Sequence, residues 1–258
     1  VFKRSATTSA AVAALVAVAS AGCGEVDEAT GDGGGTTLTV FAAASLTETF
    51  TELGEAFEKA NPGTDVRFGF AGSSTLAQQI TQGAPADVFA AASPATMKTV
   101  ADAGDAAGDP VVFTTNRLVI AVPKDNPGGV RSVGDLADGD LRVVVCAEQV
   151  PCGAAAGKAL DAAGVTVEPA SAEKDVKAVL TKVRLGEADA GLVYRTDVKA
   201  AGGDVTGIEF AESAEAVNDY PIVRVADAPQ PGLAREFIDL VTGPQGEAVL
   251  GAAGFQAP

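Results

Sequence analysis

The chain has 258 residues, with 34 acidic against 18 basic side chains, no histidine and a formal charge of −16. So acidic a protein has no basic face for phosphates, which argues against a nucleic-acid partner. Without histidine it can build neither a Ser-His-Asp nor a Cys-His triad, nor a zinc centre with imidazole ligands.

Residues 1–22 read as an export signal. Lys3 and Arg4 form a basic start, Ala10 to Ala19 is an apolar, alanine-rich run, and Ser20-Ala-Gly-Cys23 is a processing site. The run is too weakly hydrophobic for a membrane span. A cysteine directly after Ala-Gly resembles a bacterial lipobox, in which the cysteine is lipidated and becomes the new N-terminus, although Ser20 stands where leucine is usual. The alternative is an ordinary signal peptide with Cys23 incidental. Loss of Lys3 and Arg4 leaves 16 basic against 34 acidic residues, a charge of −18. Gly24 to Thr37 hold almost no apolar side chain, so residues 23–37 read as a flexible tether. The expected location is outside the cell, anchored to the outer face of the cytoplasmic membrane through Cys23.

The folded part alternates strand-like and helix-like segments. Leu38 to Ala42 reads as a strand, and Leu46, Phe50, Leu53 and Phe57 then recur at helical spacing. Ser45 with Glu48 three residues on has the form of a capping box. Val66, Phe68 and Phe70 alternate as a strand, and Leu76 and Ile80 open the next helix. Asp87 to Ala91 is a short strand, followed by Ser93-Pro94, an N-cap with proline at the first helical position. Leu118 to Val122 and Leu141 to Cys146 are apolar strands. Ala154 to Ala163 is a helix ended by Gly164, and Val176, Val179, Leu180 and Val183 form a helical stripe. Gly191 to Tyr194 and Ile222 to Val225 are strands; Leu233 to Val241 and Gln245 to Leu250 are helices. This alternation predicts a largely parallel α/β architecture.

Ligands of open α/β sheets sit at the carboxyl ends of the strands. Ser45, Ser74, the loop after Cys146 and Tyr194 all fall at such ends. A helix start carries unpaired N–H groups and the positive end of the dipole, so two serine-tipped starts can hold a small oxyanion without a cationic side chain. Singly, each serine reads as a cap or turn residue and Tyr194 as a core tyrosine. Asp87 reads as a structural acceptor for backbone N–H groups. With Cys23 given to lipid, Cys146 and Cys152 most simply form a disulfide across a short loop in an oxidising compartment. A metal site of two thiols is the poorer alternative.

Val40-Phe-Ala-Ala-Ala-Ser45-Leu, Gly72-Ser-Ser74-Thr-Leu76 and Gly83-Ala-Pro-Ala-Asp87-Val-Phe89 closely resemble the extracytoplasmic molybdate-binding proteins of ABC importers. Val150-Pro-Cys-Gly153, Glu173-Lys-Asp-Val176, Gly191-Leu-Val-Tyr194, Tyr220-Pro221 and Gly243-Pro-Gln245 extend the match in the same order. The resemblance implies a two-lobed periplasmic-binding-protein fold of type II, with mixed, mostly parallel sheets and a hinge. Lobe one would comprise residues 38–118 with 222–258, and lobe two residues 119–221. It also implies a binding set of Ser45 and Ser74 (hydroxyl and N–H), the N–H groups of Cys152 and Val176, and the Tyr194 hydroxyl. The ligand would be molybdate or tungstate, with no cofactor and no metal cation. The partner would be the membrane permease of an ABC importer, and the protein a monomer. Rival readings are a binder of sulfate or another tetrahedral oxyanion and, more remotely, an extracytoplasmic hydrolase using Ser74.

Overall fold

The computed structural model describes residues 35–258. The export signal, Cys23 and nearly all of the tether lie outside the described residues.

In chain order the elements are β1 (Thr36–Ala43), a 3-10 turn (Ala44–Leu46), α1 (Thr47–Ala60), β2 (Thr64–Ala71), α2 (Ser73–Thr81), β3 (Val88–Ala90), α3 (Pro94–Asp102) and β4 (Val111–Asn116). Next come β5 (Leu118–Pro123), β6 (Val143–Cys146), α4 (Pro151–Ala163), β7 (Ser171–Glu173), α5 (Val176–Arg184), β8 (Ala190–Tyr194), α6 (Arg195–Ala200) and β9 (Val205–Ile208). The chain closes with β10 (Asn218–Arg224), α7 (Pro231–Thr242) and α8 (Pro244–Ala253).

The strands form two five-stranded sheets, ordered β2-β1-β3-β10-β4 and β7-β6-β8-β5-β9, and each sheet with its helices is one lobe. In each sheet, one strand connected to the other lobe runs antiparallel to both its neighbours: β10 in the first and β5 in the second. The remaining pairings are parallel. The chain leaves the first sheet after Asn116 and enters the second at Leu118. It returns earlier than residue 222, because Asn218 to Pro221 already pair with β4.

Each lobe has its own core, made by the periodicities visible in the sequence. In the first, Leu38 and Val40 of β1 meet Phe50, Leu53 and Phe57 of α1 and Phe237 of α7. Phe50 and Phe57 both pack edge-on against Phe237, at centroid distances of 5.9 and 5.4 Å. Full burial of such a side chain contributes about 1.5–3 kcal/mol. In the second, Ile120, Val144 and Leu192 of the sheet pack on Val179 and Val183 of α5.

Local signals act as the sequence suggests at several ends. Ser93 caps α3, accepting from the Thr96 N–H with Pro94 next in line, and Gly164 ends α4 in the left-handed conformation. Asp87 accepts from the N–H groups of Thr39 (2.8 Å) and Gln230 (2.5 Å), tying β1 to the approach of α7. Ser45, however, is not a helix cap. The N-cap of α1 is Leu46, without a side-chain cap, because a 3-10 turn comes between β1 and α1. Ser45 and Glu48 both turn to other partners.

Candidate functional site

The carboxyl ends of β1, β2, β6 and β8 face one cavity between the two sheets. Its wall is formed by Ala43, Ala44 and Ser45 from the end of β1, Gly72 and Ser73 at the start of α2, and Ala92 after β3. From the second lobe come Val150, Pro151 and Cys152 at the start of α4, Asp175 and Val176 at the start of α5, and Tyr194 at the end of β8. The space measures about 20 Å³. That is room for little more than one water-sized sphere, so the walls of the two lobes stand close together here.

Three helices of nine or more residues, α2, α4 and α5, begin at this cavity. Their first-turn N–H groups have no carbonyl one turn back, and their dipoles place positive potential there. Among the described residues, no lysine or arginine lines the wall. The one carboxylate, Asp175, is engaged: its Oδ1 accepts from the Ala178 N–H as the cap of α5.

The hydroxyls are held ready to donate. Ser73 Oγ accepts from the Ala92 N–H at 3.0 Å, which leaves its own proton free. Ser45 Oγ lies 2.9 Å from Tyr220 Oη, and when Tyr220 donates, the Ser45 proton is likewise free. Tyr194 is 1% exposed, and its buried hydroxyl has no hydrogen-bond partner among the described residues. A buried phenol without a partner is costly, so the unpaired hydroxyl marks a place for a ligand acceptor. Burial drives the Tyr194 pKa well above its ordinary value, with the neighbouring Tyr220 and Asp197 adding to the effect. The group therefore stays a neutral donor.

Of the residues expected from the sequence, Ser45, Cys152, Val176 and Tyr194 meet at the cavity wall, and Ser74 does not. The Ser74 hydroxyl instead donates across the cleft to the Gln149 carbonyl at 2.7 Å. Its neighbour Ser73 takes the place in the wall. The sheet register explains the shift: Ala43 of β1 pairs with Ala71 of β2, so the residue two beyond each, Ser45 and Ser73, is the equivalent one. Helical spacing cannot separate two adjacent serines, whereas the register can.

Cys146 and Cys152 are joined by a disulfide (Cα–Cα 5.7 Å) that ties the end of β6 to the first turn of α4. The bond closes the turn that carries Val150 and Pro151. Across the cleft, a Cβ on Gly72 would come within 2.3 Å of the Lys174 carbonyl oxygen, so glycine permits the close approach of the two lobes there.

The sequence profile described as "Bacterial extracellular solute-binding protein" matches residues 38–256. The chain belongs to this family. Members bind solutes and do not transform them, and the hydrolase reading of Ser74 is set aside accordingly; its hydroxyl is in any case spent on Gln149. Among the relatives, the molybdate-binding protein ModA of Mycobacterium tuberculosis is 45% identical over 251 residues, covering 96% of each chain. Among solved structures, the periplasmic molybdate-binding protein of Azotobacter vinelandii matches with a TM-score of 0.76 at 23% identity, covering 86% of this chain and 99% of that one. The sulfate-binding protein SubI of Mycobacterium tuberculosis matches at 0.73 and 17%, covering 86% and 87%. At such identities the two structures establish the two-lobed fold alone.

Proposed function

We propose that this solute-binding protein captures molybdate, and tungstate with it, in the cavity between its lobes and delivers it to the permease of an ABC importer. The observation that carries the reading is a small cavity with three helix N-termini and, among the described residues, a buried, unpaired Tyr194 hydroxyl and no cationic side chain in its wall. The identity to the ModA relative supports the choice of ligand. The proposed donors are the hydroxyls and N–H groups of Ser45 and Ser73, the N–H groups of Cys152 and Val176, and the Tyr194 hydroxyl. Ser73 replaces the Ser74 expected from the sequence.

Neutral donors suit this ligand. Each hydrogen bond to an ionised acceptor contributes roughly 1.5–3 kcal/mol. Donors fixed at helix starts act at contact distance, while the distant negative charge of the protein is screened within about 10 Å at moderate salt. A set made only of donors also rejects an oxyanion that keeps a proton, as phosphate does, because that proton finds no acceptor.

The N-terminal part of the proposal is a cleaved signal over residues 1–22, a lipid on Cys23 and a tether over 23–37. These would hold a monomer at the outer face of the cytoplasmic membrane. Cys23→Ala is then expected to release the protein or leave it unprocessed, as read by membrane fractionation.

A thermal-shift panel of molybdate, tungstate, sulfate and phosphate tests the ligand. At one hundred times the dissociation constant, a ligand adds about 2.7 kcal/mol of stability. Clear shifts with molybdate and tungstate and little with phosphate are expected. A larger shift with sulfate would move the assignment to a sulfate carrier, and no shift with any oxyanion would end it.

A further inference from the structure

Outside the cavity wall, one cluster of charges joins the lobes. Lys177 of α5 points its ammonium at Glu48 of α1, with Nζ 2.8 Å from Oε1 and 2.9 Å from Oε2. Glu48 belongs to the first lobe and Lys177 to the second, so this pair exists only while the cleft is closed. Lys177 Nζ also stands 3.1 Å from Oδ1 of Asp197 in α6, which is 0% exposed. That second contact is an ion pair without hydrogen-bond alignment, since Asp197 Oδ1 has no hydrogen-bond partner among the described residues. The other oxygen of Asp197 accepts from the Tyr194 N–H at 3.1 Å.

Each member is coupled to a wall residue. Glu48 follows Ser45 by three positions, Lys177 follows Val176 directly, and Asp197 holds the backbone of Tyr194. Closing the cleft therefore brings Lys177 to Glu48, and opening it leaves Lys177 with Asp197 alone. An ammonium with a carboxylate on each lobe can hold the two lobes together without entering the cavity.

We propose that Glu48 and Lys177 form an interlobe latch that sets the lifetime of the closed, loaded state, with Asp197 as the positioning residue that keeps Lys177 at the cleft. The latch rests on the reading of the cavity as a molybdate site only for its ligand readout. It acts on closure, so it controls dissociation more than capture, which occurs through the open form.

Both tyrosines of the chain, Tyr194 and Tyr220, lie at or behind the cavity and there is no tryptophan, so tyrosine fluorescence follows the cleft directly. Stopped-flow traces with molybdate should show Glu48→Gln raising the dissociation rate a few-fold, as expected for a half-exposed ion pair, and Lys177→Met raising it at least as much. The association rate should rise by less, as more of the ligand-free protein stands open. The double variant should be no faster than Lys177→Met alone, because Lys177→Met already removes the contact to Glu48. Small-angle scattering of the ligand-free protein should give a larger radius of gyration for Glu48→Gln than for the wild type. Glu48 is half exposed, so this variant keeps the fold. An unchanged dissociation rate in Glu48→Gln would overturn the latch. If the wild type takes up no molybdate, the ligand assignment falls, and scattering then decides the latch: a larger radius sustains it and an equal one overturns it.

Discussion

Ser45 Oγ and Tyr220 Oη lie 2.9 Å apart although 175 positions separate them in the chain. The bond joins the end of the first strand to β10, the strand by which the chain returns from the second lobe. Tyr220 also packs edge-on against Tyr194 at 6.1 Å, so one ring supports donors from both lobes. Tyr220→Phe keeps the packing and removes the bond, leaving Ser45 Oγ free to turn away. Molybdate affinity measured by calorimetry should fall by about 1 kcal/mol, the net worth of one such hydrogen bond. An unchanged affinity would mean that the serine needs no orientation by Tyr220.

The two serines that open α2 have separable roles. Ser73→Ala removes a buried hydroxyl from the cavity and should weaken molybdate binding by roughly 1–3 kcal/mol. It also strips the Ala92 N–H of its acceptor, so a lower melting temperature is expected as well. Ser74→Ala breaks only the bond to the Gln149 carbonyl on the outer side of the cleft, and its affinity loss should be the smaller of the two. Calorimetry on both variants decides the ranking, and a reversed order would restore Ser74 to the binding set.

Much of this architecture is written in local patterns. The alternation in β2 and the helical stripes of α1 and α5 are amphipathic, and amphipathic periodicity survives in any fold that buries one face. β4 and β9 carried no such signal: Val111 and Val112 are exposed on an edge strand, and β9 is four residues long with two of them exposed. The short α6 was hidden because Asp197, a buried carboxylate, sits where periodicity predicts a solvated face. At the site, strand ends and helix starts pointed to the right loops. The choice between Ser73 and Ser74 depended on the register of β1 with β2, and the partners of Ser45 and Glu48 depended on residues far along the chain, which no local window contains.

The Cys146–Cys152 disulfide fixes the turn that offers the Cys152 N–H. Its loop is short, so its contribution to stability through the unfolded state is about 2 kcal/mol. Reduction, or Cys146→Ser with Cys152→Ser, should lower the urea midpoint accordingly. The variant should also bind molybdate more weakly, because the N–H must then be ordered on binding. If affinity is unaffected while stability drops, the bridge serves the fold alone.

Asp197 should give the protein a distinctive pH response. Burial raises its pKa from 3.8 to about 6, and the attraction of Lys177 offsets only part of that cost. Between about pH 4 and 6 the folded chain thus holds a proton that the unfolded chain has released. The contribution of this residue to stability is greatest at low pH, falls as pH rises through that window, and levels off above it. At about 1.36 kcal/mol per unit, the change is at most about 3 kcal/mol. Glu173 is held low by its hydrogen bond to Lys182, and Asp189 by its hydrogen bond to Arg142. Their stabilising effects disappear at lower pH and are common to wild type and variant, so the difference between the two isolates Asp197. Asp197→Asn keeps the acceptor for the Tyr194 N–H and cannot ionise. Urea unfolding at a series of pH values should show the variant gaining stability relative to the wild type as pH rises from about 4 to about 6, and no further change above. A difference that stays flat across this range would show that Asp197 has an ordinary pKa, and that Lys177 outweighs its burial.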